Sequence, residues 1–190
     1  MADAARVLAE DDDAARAGFE AWLATQPPTA LRELARPDRR LLPLVAARQR
    51  ALGVDHPYLA VCDAAAAAAR TRNAQLLDGA AHALATLADA GIATLTLKGV
   101  PLLLEQYDDL ALRPMSDVDV MVRPTDLLAA LDALHASGWR LRTMPRSLRR
   151  WVIAFDLVRD PDRQKLDLHQ YLIEYGSSPE VERDLWQRAH

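Results

Sequence analysis

A chain of 190 residues with a net charge of −4 and 26% charged residues is long enough for one domain with a proper core, or for a small α/β domain with a helical annex. Alanine inflates the hydrophobic share of 51%, aromatics stand at 5%, and the profile is that of a soluble, helix-rich cytoplasmic protein. The charge balance argues against wholesale binding of nucleic acid, no apolar run approaches the roughly 20 residues that span a bilayer, and the opening Met1-Ala2-Asp3-Ala4-Ala5-Arg6 carries no signal-peptide pattern. The single cysteine, Cys62, has no internal disulfide partner and reads as a small buried residue of an alanine-rich helix.

Residues 1–90 read as helices throughout: Asp13–Thr25, Thr29–Arg36, Asp38–Leu52, Pro57–Arg70 and Asn73–Ala90, punctuated by Pro27-Pro28, Pro37 and Gly53. In the last of these, Leu76, Leu77, Ala80, Leu84, Leu87 and Ala88 fall at helical spacing, and Gly91 supplies a left-handed helix end. The period then changes. Ile92–Leu97 is β-prone, Lys98-Gly99 breaks it, and Pro101 opens a short helix through Leu102, Leu103, Leu104 and Tyr107. Beyond a loop holding Arg113-Pro114, the run Ser116–Val122 reads as a strand, Thr125 caps a helix from Asp126 to Ser137, and Gly138 stops it. Trp139–Thr143 and Trp151–Val158 read as strands, and Asp160-Pro161-Asp162-Arg163 turns the second into Lys165–Tyr171 as a hairpin. Ser177-Ser178-Pro179-Glu180 signals a last helix. These patterns divide the chain into a helical annex over 1–90, an α/β core over 91–176 and the start of a C-terminal helix over 177–190.

The chemistry concentrates in Ser116-Asp117-Val118-Asp119-Val120-Met121-Val122. Strand side chains alternate, so Asp117 and Asp119 project to one face while the valines enter a core. Two carboxylates about 5 Å apart repel by roughly 3 kcal/mol at an effective dielectric of about 20, a cost that calls for a proton, a basic partner or a hard cation such as Mg²⁺. Leu166-Asp167-Leu168-His169 repeats the alternation, leaving Asp167 and His169 together on one face. If the two strands are neighbours, Asp117, Asp119 and Asp167 converge on one or two Mg²⁺ ions, the arrangement that serves in-line displacement at phosphorus. Lys98-Gly99 sits between a strand and the first turn of a helix, where free N–H groups favour a phosphate. Arg113 is placed to contact a triphosphate or pair with an aspartate, and His169 to position an acceptor or act as a base. Arg140, Arg142, Arg146, Arg149 and Arg150 form a window without acidic residues, readable either as a solvated face or as a surface for a polyanionic acceptor such as RNA.

Leu97-Lys98-Gly99, Tyr107, Leu112-Arg113-Pro114-Met115-Ser116-Asp117-Val118-Asp119-Val120 and Leu166-Asp167-Leu168-His169, in that order, closely resemble the uncharacterised nucleotidyltransferase family of the polymerase-β superfamily over about residues 70–190. The resemblance implies an α+β fold, a small mixed sheet backed by helices with an amino-terminal helical region. It also implies Asp117, Asp119 and Asp167 as ligands of Mg²⁺ (or Mn²⁺), Gly99 as phosphate-binding, and an NTP, by default ATP, as substrate. The wider superfamily carries Gly-Ser or Gly-Gly at the turn, and Val100 follows the glycine here, so Lys98 or Arg113 is expected to replace the hydroxyl contact. Relatives usually continue past the Leu185-Trp186 segment into further helices, so the acceptor-binding part is expected to be absent, replaced by the amino-terminal helices, or supplied by a second subunit; a protein partner or homo-oligomer is a further expectation. The acceptor itself is a small molecule, protein or RNA. Two other classes stay open: a non-catalytic nucleotide-binding or interaction module, and a sugar-nucleotide transferase with an Asp-x-Asp metal site.

Overall fold

The computed structural model describes residues 12–25, 39–55, 57–142, 154–159, 164–172 and 179–188. They belong to two compact units, one formed by Met1–Asn73 with Tyr107–Pro114 and the other by Ala74–Gln106 with Met115–His190. The expected helix Thr29–Arg36, the turn Asp160–Arg163 and the arginines 146, 149 and 150 lie outside the described residues.

The first unit contains helices α1 (Asp12–Thr25) and α2 (Leu42–Ala51) and the first half of α3 (Tyr58–Asp89). Pro43 sits in the first turn of α2, where its missing N–H is no loss, and Gly53 follows the helix at φ +64°. Ala15, Val45, Ala46, Leu52, Tyr58 and Cys62 form an apolar cluster. Burial, helped by the charge of Asp63, pushes the Cys62 thiol up to about 11, so it is an inert packing residue as its surroundings in the sequence suggest. The two helices expected over Pro57–Arg70 and Asn73–Ala90 are one continuous helix. Asn73 does not start a helix; its side-chain amide donates to the carbonyls of Leu110 at 2.6 Å and Arg113 at 2.8 Å. Nearby, Arg70 grips Asp109 through two nitrogens, at 2.5 and 3.1 Å. Both contacts hold the Tyr107–Pro114 loop.

The second unit is a five-stranded mixed sheet with helices. Its strands are β1 (Thr94–Leu97), β2 (Val118–Val122), β3 (Trp139–Leu141), β4 (Ala154–Arg159) and β5 (Gln164–His169), in the spatial order β1-β2-β5-β4-β3. Only the central β2–β5 pair is parallel; β1–β2, β5–β4 and β4–β3 are antiparallel, which bears out the hairpin. All five residues of β2 are buried, as suits a central strand covered on both faces. Val118, Val120, Val122, Leu166 and Leu168 join Leu76, Ala80, Ala83 and Leu87 of α3 and Leu127, Ala130 and Leu134 of α5 (Leu127–Ala136) in one core. Helix α4 (Gly99–Gln106) follows β1 directly, and α6 (Pro179–Arg188) stands at the expected C-terminal position.

Polar bonds fix the sheet against the second half of α3. Gln164 donates to Asp78 at 3.0 Å and accepts from Arg159 at 3.2 Å, while the Trp139 indole donates to His82 at 3.3 Å. Gly79 lets the helix approach, because a Cβ there would lie 2.8 Å from Gln164 Cβ. The expected Thr125 cap is corrected: Asp126 occupies the cap position without a side-chain cap bond, and Thr125 donates to the Asp126 carboxylate instead. Gly138 does close α5, at φ +96°.

Candidate functional site

The site is built on three strands of the second unit. Parallel pairing sets Asp119 beside Asp167 and Met121 beside His169, and antiparallel pairing sets Asp156 of β4 on the other side of Asp167. A row of three carboxylates therefore crosses the sheet on one face. Asp117 lies one residue before β2 rather than within it, yet its charge still reaches Asp167.

Asp119 is 8% exposed, and two donors converge on its Oδ1: Lys98 Nζ at 2.6 Å and His169 Nε2 at 2.9 Å. Burial pushes the Asp119 carboxyl up, but the hydrogen bonds from His169 and Lys98 outweigh it and hold the group below the usual carboxylate range. Asp167 moves the other way. Burial raises it, and the charges of Asp117, Asp156 and Asp119 raise it further. Arg142 from the end of β3 binds Asp156 through Nε at 2.6 Å and Nη2 at 2.5 Å, so that carboxylate is already balanced.

In the turn between β1 and α4 the residue in the left-handed region is Lys98, at φ +51°. Gly99 is the first residue of α4, and a Cβ there would press on Met115 Sδ at 3.0 Å. Its lack of a side chain is therefore used for close packing, while Lys98 carries a backbone conformation that a branch-bearing residue adopts at a cost of about 1–2 kcal/mol. That conformation accompanies an ammonium group seated on Asp119.

Among the expected site residues, the structure thus brings together Asp119, Asp167, His169 and Lys98, with Asp117 close enough to act on Asp167 by its charge. Arg113 belongs to the first unit, where its carbonyl accepts from Asn73. Of the basic window, Arg140 is exposed on β3 and Arg142 is committed to Asp156. Asp156 is a site residue that sequence reasoning missed. Its alternation in Ala154-Phe155-Asp156-Leu157 was the available signal, but only the strand order reveals that it borders Asp167.

One ligand atom from each of Asp119, Asp167 and His169 lies within 4.8 Å of the others. Oxygen and imidazole donors at this separation suit a divalent cation. A mixed sheet backed by helices, with an acidic centre on its parallel pair, defines a nucleotidyltransferase-type α+β core. The chain belongs to the family described as "Uncharacterised nucleotidyltransferase", which matches residues 28–190. No curated protein and no solved structure matches it significantly.

Proposed function

We propose that the protein transfers a nucleoside monophosphate from an NTP, by default ATP, to an acceptor hydroxyl on a small molecule, protein or RNA, releasing pyrophosphate. The observation that carries this reading is the register that sets Asp119 beside Asp167 on adjacent parallel strands, with Lys98 reaching the same point from the head of α4.

Asp117, Asp119 and Asp167 would hold Mg²⁺ or Mn²⁺. Bound there, such a cation supplies neutralising charge to the triphosphate and lowers the pKa of the attacking hydroxyl. The free N–H groups at the start of α4 and the Lys98 ammonium meet the phosphates. Asp167 takes the acceptor proton, the role that the resemblance to the superfamily gives the third aspartate, nearest the incoming hydroxyl. The acceptor oxygen bonds to the α-phosphorus as the bond from that phosphorus to the bridging oxygen breaks, and the electron pair leaves with pyrophosphate.

The test is product analysis with α-labelled NTPs and pooled cellular acceptors. Labelled acceptor plus pyrophosphate is expected, with Asp119→Ala reducing it about 100-fold or more. With a nucleotide sugar supplied in place of the NTP, release of a free nucleoside diphosphate would instead indicate sugar transfer, and undiminished turnover in Asp119→Ala would refute the site assignment.

A further inference from the structure

His169 is not required as the counter-charge of Asp119. Lys98 Nζ already lies 2.6 Å from Asp119 Oδ1, the same oxygen that His169 Nε2 approaches at 2.9 Å. Asp156 is neutralised by Arg142, whereas Asp167 has no lysine or arginine partner among the described residues. The uncompensated anion is therefore the one between them. The imidazole is 6% exposed, its Nδ1 is buried without a partner among the described residues, and Nε2 is the edge it turns toward the carboxylates. Ligands of a six-coordinate cation with bonds of about 2.1 Å stand roughly 3 Å apart when adjacent and 4 Å apart when opposite. The atoms of Asp119, Asp167 and His169 all lie within 4.8 Å of one another, which small side-chain adjustments would bring to that spacing. A cation held by the two aspartates would then have Nε2 as a further donor beside it.

We infer that His169 Nε2 is a direct ligand of the divalent cation, with Asp119 and Asp167, and that this nitrogen makes the site favour a first-row transition ion such as Mn²⁺ over Mg²⁺. The inference rests on the nucleotidyltransferase reading for the presence of a cation, and deepens it by naming the ion class. Mg²⁺ favours an all-oxygen shell that retains water, whereas imidazole is a good donor to transition ions. On binding, the imidazole exchanges its hydrogen bond to Asp119 for the metal bond, carrying its proton on Nδ1, while Lys98 remains to hold Asp119 Oδ1.

Electron paramagnetic resonance of Mn²⁺ with the full-length protein tests this without any turnover. Wild type should bind Mn²⁺ and show coupling of the electron spin to a directly bonded ¹⁴N, which becomes a ¹⁵N coupling after histidine labelling. The chain has five histidines, so Asp119→Asn, which should release the ion, ties the signal to this site. His169→Gln keeps an amide able to donate to Asp119. It should abolish the nitrogen coupling and weaken Mn²⁺ binding about tenfold or more, with Mg²⁺ affinity, read by calorimetry, nearly unchanged. Mn²⁺ bound without nitrogen coupling in wild type, no Mn²⁺ bound at all, or equal Mn²⁺ affinity in His169→Gln would overturn the inference. An oxygen-only Mn²⁺ signal leaves nucleotidyl transfer standing, whereas nitrogen coupling in a protein that releases no pyrophosphate supports the ligand and counts against the reaction.

Discussion

Asp119 and Asp167 are neighbours in register, yet they titrate in opposite directions: hydrogen bonds from His169 and Lys98 outweigh burial at the first, whereas at the second burial and the charges of Asp117, Asp156 and Asp119 outweigh the opposing effect of His169. The consequence for stability follows from linkage. Asp119, held below the usual carboxylate range, stabilises the fold above that range and loses its contribution as pH falls through its folded pKa. Asp167, held above it, favours the fold fully only in acid and costs stability as pH rises through its folded pKa. In the metal-free protein, Asp167→Asn should therefore raise the melting temperature at pH 7 by roughly 2–4 °C, about 1 kcal/mol after allowance for solvent screening, and the gain should vanish toward pH 3. Asp119→Asn should lower it at pH 7 and converge with wild type in acid. Thermal melts across pH check both signs, and two shifts of the same sign would contradict them. Lys98→Met should weaken NTP binding about tenfold through loss of a charge-assisted contact, read by calorimetry; unchanged affinity would confine Lys98 to its pairing with Asp119.

Helix α3 is the element on which the sheet is laid, and its close approach depends on Gly79. Alanine there gains about 1 kcal/mol of helix propensity, but its methyl would enter the space of the Gln164 side chain and displace a residue bonded to both Asp78 and Arg159. Gly79→Ala should destabilise by about 1–3 kcal/mol net, measurable by chemical denaturation, and a stabilised variant would show that this contact is loose. Elements were legible in the sequence where periodicity is strong: the alternation of Val118, Val120 and Leu166, Leu168 gave β2 and β5 and the facing carboxylates. The continuity of α3 was not legible, because Asn73 resembles a helix-start residue and its real partners, the carbonyls of Leu110 and Arg113, are far along the chain. The left-handed turn at Lys98 was not legible either, because its φ of +51° accompanies a bond to Asp119, a partner far along the chain.

At the scale of the whole chain, the sequence motifs already pointed to the family that matches residues 28–190, and Asp119 and Asp167 form one site because their strands are adjacent. The row these two form with Asp156 required the strand order β2-β5-β4, which no local pattern carries. No helix among the described residues is long and apolar enough to cross a membrane. The central claim is that Asp119 and Asp167 create a cation-dependent nucleotide site, and calorimetric titration with a non-hydrolysable ATP analogue tests it most directly. Titrations with and without Mg²⁺ or Mn²⁺, on wild type and on Asp117→Ala/Asp119→Ala, should show binding only when both the cation and the carboxylates are present. Binding that persists without the cation, or in the double variant, would contradict the claim, as would failure of the wild type to bind any NTP analogue.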